Sequence, residues 1–255
     1  MNIIVATSRG VGLADRLADI NTKVYVHPGG KLSEMTDKIV KSLTPPGSPS
    51  TKTHIYFVSG IPDITTRIQE HPYHQEIVYT ENPIDTFNRI KAGIINANNK
   101  ILSAGAIPIF CTIPSTKILK YNNFRLQKRR TNRLYYKDNY SIMQRKLESA
   151  LDLINEEITA INVANDMSTP YLHVIIKKGT GTKEDRKYTY YYNKLYDGVH
   201  ATDKTKKSWA TTIRQAIKKN RPTLEEEEEE ISSPKRSWRS ERFLGGARLG
   251  NILSW

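Results

Sequence analysis

The run Asn2-Ile3-Ile4-Val5-Ala6 passes directly into Thr7-Ser8-Arg9-Gly10 and then into a helix-like stretch from Gly12 to Ile20. A short apolar run closed by a glycine-bearing loop reads as a buried strand feeding a helix. The same grammar recurs twice. Lys23 to Val26 precedes Pro28-Gly29-Gly30 and the helical stretch Leu32 to Leu43, and His54 to Ser59 precedes Gly60 and the stretch Asp63 to Gln69. Strands that alternate with helices lie parallel, because a crossover and not a hairpin must join them. This pattern sets the fold class as α/β.

The remaining chain extends the pattern. A helix is expected over about Pro83 to Ala104, with Ile84, Phe87, Ile90, Ile94 and Ile95 on one face, feeding a fourth strand at Ile107 to Thr112. A second long helix, about Tyr140 to Asn165, aligns Met143, Leu147, Leu151, Ile154, Ile158 and Ile161 at spacings of three and four, as a core-facing stripe requires. Tyr171 to Ile176 reads as a fifth strand, Lys177 to Arg186 as a polar excursion, and Thr202 to Lys218 as a closing helix with Trp209, Ile213 and Ile217 inward. The expected architecture is three layers around a central parallel five-stranded sheet. Pro45 to Ser50 is a surface loop by composition.

After Asn220 the composition changes. Pro222, the acidic run Glu225 to Glu230 and the basic Lys235-Arg236 block cannot bury enough apolar surface to order themselves. One domain over 1–220 and a disordered charged tail over 221–255 are therefore expected, the last stretch from Phe243 to Trp255 being a candidate docking motif.

The single cysteine, Cys111, excludes an intrachain disulfide and suits a reducing intracellular compartment, cytoplasmic or nuclear. No apolar stretch approaches the roughly 20 residues that span a bilayer, and the amino terminus lacks the pattern of a secretory signal. A net charge of +13 favours polyanionic partners such as nucleic acid.

Leu195-Tyr196-Asp197-Gly198-Val199-His200 sets a carboxylate and an imidazole three residues apart on a glycine-containing turn before the last helix. That spacing lets Asp197 reach His200 Nδ1 and leaves Nε2 free as a base. Standing alone, a loop histidine is more often a surface or capping residue, so the pair needs a nucleophile opposite it. Ser8 qualifies, lying at the carboxyl end of the first strand, where open α/β sheets bind ligands. By itself Ser8 reads more readily as a helix cap, with Gly10 and Gly12 only relieving the turn. A dinucleotide reading of Ser8-Arg9-Gly10-Val11-Gly12 is weaker, since the third glycine is missing and no acidic residue closely follows the second strand.

Taken together these pieces resemble the SGNH hydrolase (GDSL-type esterase) family, with its flavodoxin-like fold. Ser8 matches the nucleophile, Gly29 of Pro28-Gly29-Gly30 the second block, Gly60-Ile61-Pro62-Asp63 occupies the third, and Asp197-Gly198-Val199-His200 matches the last. More loosely, Cys111-Thr112-Ile113-Pro114 with Tyr121-Asn122 resembles SGNH-like domains encoded by mobile elements and some eukaryotic viruses. The resemblance implies that serine attacks an ester or acyl carbonyl, histidine takes its proton and aspartate orients the histidine. It also implies an oxyanion hole made by the Ser8 and Gly29 N–H groups and an asparagine side chain. Pro62 stands where the family has that asparagine and has neither a side-chain donor nor an N–H. Asn122 or Asn123, expected on a loop after the fourth strand, is the candidate replacement donor. The family's Gly-Asp-Ser block here reads Ala6-Thr7-Ser8, so the aspartate before the serine is also missing.

No histidine pair among His27, His54, His71, His74 and His173 has metal-ligand spacing with a third ligand nearby, so neither a metal nor a cofactor is expected. Lys117 to Lys146 interleaves Lys120, Arg125, Lys128, Arg129, Arg130, Arg133, Lys137 and Arg145 with Tyr121, Phe124, Tyr135, Tyr136 and Tyr140. That mixture suits phosphate contacts and base stacking, and equally a solvated face whose aromatics pack on the domain. A second basic cluster, Lys177 to Lys187, runs into Tyr188 to Tyr192 as a hairpin or loop. Two functions follow: a serine-dependent hydrolase acting on a small ester or acyl substrate, or a catalytically degenerate scaffold of a mobile-element or viral protein that binds nucleic acid or a protein partner.

Overall fold

In the computed structural model the described residues are 1–17, 20, 22–43, 53–71, 74–128, 139–182 and 185–221. The compact unit they form runs from Met1 to Asn220. The surface loop at Pro45 to Ser50 and the tail beyond Arg221 lie outside the described residues.

The sheet contains β1 (Asn2–Ala6), β2 (Thr22–Val26), β3 (Thr53–Val58) and β6 (Ala106–Phe110) in the order β2-β1-β3-β6, every pair parallel. Side-chain alternation along a strand sends Ile3 and Val5 to one face and Ile4 and Ala6 to the other, and both faces are buried. On the first face Ile3, Val5, Ile55 and Phe57 pack with Met35 and Ile39 of α2 (Leu32–Ser42), Ile90 and Ile94 of α4 (Pro83–Ser103) and Leu151 and Ile154 of α6 (Asn139–Ala164). On the second, Ile4, Tyr56, Val58 and Ile109 pack with Leu17 of α1 (Ala14–Leu17), Leu172 of α7 (Leu172–Ile175) and Trp209, Ile213 and Ile217 of α8 (Asp203–Lys219). Helices on both faces of a parallel sheet make the three expected layers.

Among the described residues the sheet has four strands and not five, because the one-turn α7 occupies the stretch Tyr171 to Ile176. The buried residues there, Leu172 and Ile176, are four apart, which is a helical spacing. The polar edge that a fifth strand would have paired is satisfied by asparagine side chains of α6. Asn162 Oδ1 accepts from Phe110 N at 2.9 Å and its Nδ2 donates to Phe110 O at 2.8 Å, and Asn155 treats Ile113 N and O the same way at 2.6 and 3.1 Å. Thr112 N completes the edge by donating to Pro170 O at 3.1 Å. Two amides seven residues apart on one helix face thus stand in for a strand.

Two further expectations are corrected. The helix from Gly12 to Ile20 is a 3-10 turn at Ser8–Gly10 followed by the short α1. The helix from Asp63 to Gln69 is instead α3 (Ile61–Ile64), closed by Thr65, then an antiparallel hairpin of β4 (Thr66–His71) and β5 (His74–Val78). α5 (Ile118–Lys128) follows β6, and a second hairpin, β7 (Lys177–Thr180) with β8 (Lys187–Tyr190), occupies the polar excursion. Among the described residues no helix is long and apolar enough to cross a membrane.

Candidate active site

Ser8 emerges where β1 ends. Thr7 N donates to Val58 O at 3.1 Å and Gly10 N to Thr7 O at 2.8 Å, so the chain turns out of the sheet immediately at the serine. From the far end of the sequence, Leu195 and Ala201 bridge antiparallel, and Tyr196 N donates to His200 O at 2.9 Å, closing a loop over Tyr196 to His200. Asp197 Oδ1 accepts from Val199 N at 2.9 Å and His200 N at 2.7 Å, leaving Oδ2 for His200 Nδ1 at 2.6 Å. His200 Nε2 then lies 3.1 Å from Ser8 Oγ. The structure therefore brings together three side chains separated by up to 192 positions.

Burial alone would raise the Asp197 carboxyl, but the hydrogen bonds from His200 Nδ1, His200 N and Val199 N outweigh it and hold the pKa below the ordinary 3.8. A depressed native value means that this carboxylate stabilises the fold above pH 3.8 and that the contribution disappears as the pH falls through the lower native value. Urea denaturation from pH 6 down to pH 3 should show Asp197→Asn losing less stability on acidification than the wild type.

The loop carrying Asp197 and His200 is held by the segment between β6 and α5 and by the first turn of α5. Gly198 O accepts from Thr116 Oγ1 at 2.6 Å and Lys117 N at 2.7 Å, and Leu195 O accepts from Lys120 Nζ at 2.6 Å. Gly198 has φ +95°, and a Cβ there would meet Lys117 O at 2.6 Å and Tyr121 N at 2.9 Å. Only glycine fits this backbone and this approach. Gly198→Ala should cost about 2 kcal/mol or more, lowering Tm by roughly 5 °C in a thermal melt, with activity falling further than stability because His200 moves.

Arg9, which sequence reasoning passed over, is buried directly after the serine. Its guanidinium donates to Pro114 O and to Ser115 O at 3.4 Å, tying the nucleophile turn to the same supporting segment. Burial pulls Arg9 down to about 10, while Asp197 and Tyr192 pull the other way, so it remains a cation at neutral pH.

Asn122 is not an oxyanion donor. It is fully buried on α5, where Oδ1 accepts from Ile77 N at 3.0 Å and Nδ2 donates to Ile77 O at 2.9 Å, clamping the edge of β5. Its neighbour Asn123 is also on α5 and not on a loop. Asn122→Ala should lower unfolding free energy by about 2 kcal/mol by stranding two buried peptide groups, leaving kcat of the folded protein unchanged.

An aromatic rim borders His200. Tyr196, 51% exposed, stacks on the imidazole at 5.8 Å between centroids, Phe124 meets Tyr196 edge-on at 5.9 Å, and Lys128 Nζ sits 4.8 Å over Phe124. Phe124 and Lys128 belong to the basic and aromatic segment, of which residues 129–138 lie outside the described residues. A cavity of about 240 Å³ is lined by Ser59, Gly60, Cys111, Phe57, Phe110 and Ile94 among others, and none of Ser8, Asp197 and His200 lines it. Among the described residues no cluster of histidine, cysteine and acidic side chains is arranged to hold a metal.

The parallel sheet between helix layers is a fold this chain shares with solved GDSL-type hydrolases. Two solved structures with this fold align over most of both chains. One, described as an acylhydrolase from Bacteroides fragilis, is 14% identical with a TM-score of 0.52, covering 86% of each chain. The other, a GDSL-like lipase from Bacteroides thetaiotaomicron, is 13% identical with a TM-score of 0.52, covering 86% of this chain and 87% of its own. No protein-family model and no curated protein sequence matches the chain.

Proposed function

We propose that the protein is a serine-dependent hydrolase of small esters or acyl compounds. The observation that carries this reading is the relay from Asp197 Oδ2 through His200 to Ser8 Oγ, with links of 2.6 and 3.1 Å. In the proposed mechanism Ser8 Oγ attacks the carbonyl carbon as His200 Nε2 takes the hydroxyl proton, and Asp197 holds the imidazole in the tautomer that leaves Nε2 basic. The same proton passes to the departing alcohol, and a water activated by His200 then releases the acid and regenerates Ser8. The Ser8 and Gly29 N–H groups serve as oxyanion donors.

Pro62, at the second position of α3, contributes no donor. Loss of one oxyanion donor typically costs about 100- to 1000-fold in kcat, so turnover slower than that of an esterase with a complete hole is expected unless another group substitutes. The test is hydrolysis of p-nitrophenyl acetate and butyrate by the wild type and Ser8→Ala, purified in parallel. Wild-type turnover that disappears in the variant supports the reading, and equal background rates from two folded proteins remove it.

A further inference from the structure

The turn after β3 withholds a donor, and the hairpin that follows it carries an arginine to the Gly29 turn. Asp63 does not fill the gap left by Pro62, because both carboxylate oxygens face the start of α2, accepting from Leu32 N at 3.0 and 3.2 Å. Two residues beyond Thr65, Arg67 on β4 reaches across to the turn after β2. Its Nη2 lies 3.2 Å, and its Cζ and Nη1 4.0 Å, from where a Cβ on Gly29 would stand. Gly29, at φ +73°, adopts a backbone that disfavours side chains, and a Cβ there would press on the guanidinium at 3.2 Å.

What separates Arg67 from the other arginines nearby is that its guanidinium is uncommitted. Arg9 donates to Pro114 and Ser115 carbonyls, Arg16 pairs with Asp203, and Arg89 bridges Asp63 O and Glu81. Arg67 is exposed, and among the described residues its side chain makes no hydrogen bond or ion pair. A free cation beside the backbone of a proposed oxyanion donor can meet negative charge that develops there. We infer that Arg67 is a catalytic residue of the Ser8 hydrolase, its guanidinium replacing the missing side-chain donor at the oxyanion.

The chemistry suits the substitution. As Ser8 Oγ bonds to the carbonyl carbon, the C=O π electrons move onto oxygen, and a guanidinium supplies both N–H donors and a fixed positive charge to that oxygen. It neither gains nor loses a proton in the step. The inference rests on the hydrolase reading and adds a residue to it.

The experiment compares wild type, Ser8→Ala, Arg67→Ala and Arg67→Lys in the full chain, using p-nitrophenyl acetate and the rate at which a fluorophosphonate probe labels Ser8. Arg67→Ala is expected to lose about 100-fold in kcat with KM changed less than about threefold, and to label correspondingly slowly. Arg67→Lys should fall between the two, and guanidinium chloride well below denaturing concentrations should restore part of the Arg67→Ala rate. Arg67→Ala turnover within twofold of wild type, with Ser8→Ala inactive, overturns the role of Arg67 alone. A loss confined to KM also overturns it, since that identifies a substrate contact without transition-state selectivity. Wild-type turnover and labelling no faster than Ser8→Ala remove the hydrolase reading and this inference together.

Discussion

Ser8→Ala is expected to reduce ester hydrolysis by at least about 10⁴-fold, to the rate that the remaining donors support without a nucleophile. The size follows from the relay: without Oγ, His200 Nε2 has no proton to accept from Ser8, and no acyl-enzyme can form. The substitution removes one oxygen from a half-buried side chain in a 3-10 turn whose Thr7 N and Gly10 N hydrogen bonds are main-chain. Stability should therefore change by less than about 1 kcal/mol, so lost turnover reports chemistry and not unfolding. Steady-state rates with p-nitrophenyl butyrate beside a thermal melt check both halves.

Asp197→Asn is expected to lower kcat by about 10⁴-fold. An amide keeps the size of the side chain and one oxygen for Val199 N and His200 N, but offers His200 Nδ1 no charge. Its Nδ2 is a donor, so it favours the tautomer with the proton on Nε2, and that nitrogen then cannot accept the Ser8 proton. Asp197→Ala should behave differently, since it also strands the Val199 and His200 amides that Oδ1 now satisfies at 2.9 and 2.7 Å. The alanine variant is thus expected to lose both activity and loop order, whereas asparagine isolates the electrostatic contribution. Rate measurements with proteolysis of the 195–201 loop separate the two outcomes.

The parts of the fold that could be read from the chain are those with strong local periodicity. α4, α6 and α8 lie within a residue or two of the expected bounds because each presents an apolar stripe longer than its neighbouring turns. The candidate site was legible for a different reason: a parallel sheet places every strand's carboxyl end on one edge, so Ser8 after β1 had to face any functional loop on that edge. The stretch Tyr171 to Ile176 misled because a six-residue apolar run with the β-branched Val174, Ile175 and Ile176 suits strand and helix alike. The β4–β5 hairpin was hidden in the same way, its turn signal being only the His71-Pro72-Tyr73-His74 stretch, whose central residues lie outside the described residues.

Long-range polar contacts were not legible at all. Asn122 looked like a donor because its residue type and approximate position were right, whereas its partner, Ile77, is 45 positions away and visible only in three dimensions. Arg9 and Arg67 carry no local pattern either, since their meaning depends on the Pro114 carbonyl and the Gly29 backbone that each one approaches.

A Ser8 nucleophile activated by His200 will be captured covalently by a fluorophosphonate. The wild type, Ser8→Ala and His200→Ala would each be incubated with a fluorophosphonate, and adducts located by intact-protein and peptide mass spectrometry. The account predicts one adduct per chain on Ser8 in the wild type, none in Ser8→Ala and at most a slow trace in His200→Ala. A folded wild-type protein that takes up no probe, or carries it on a residue other than Ser8, would contradict it.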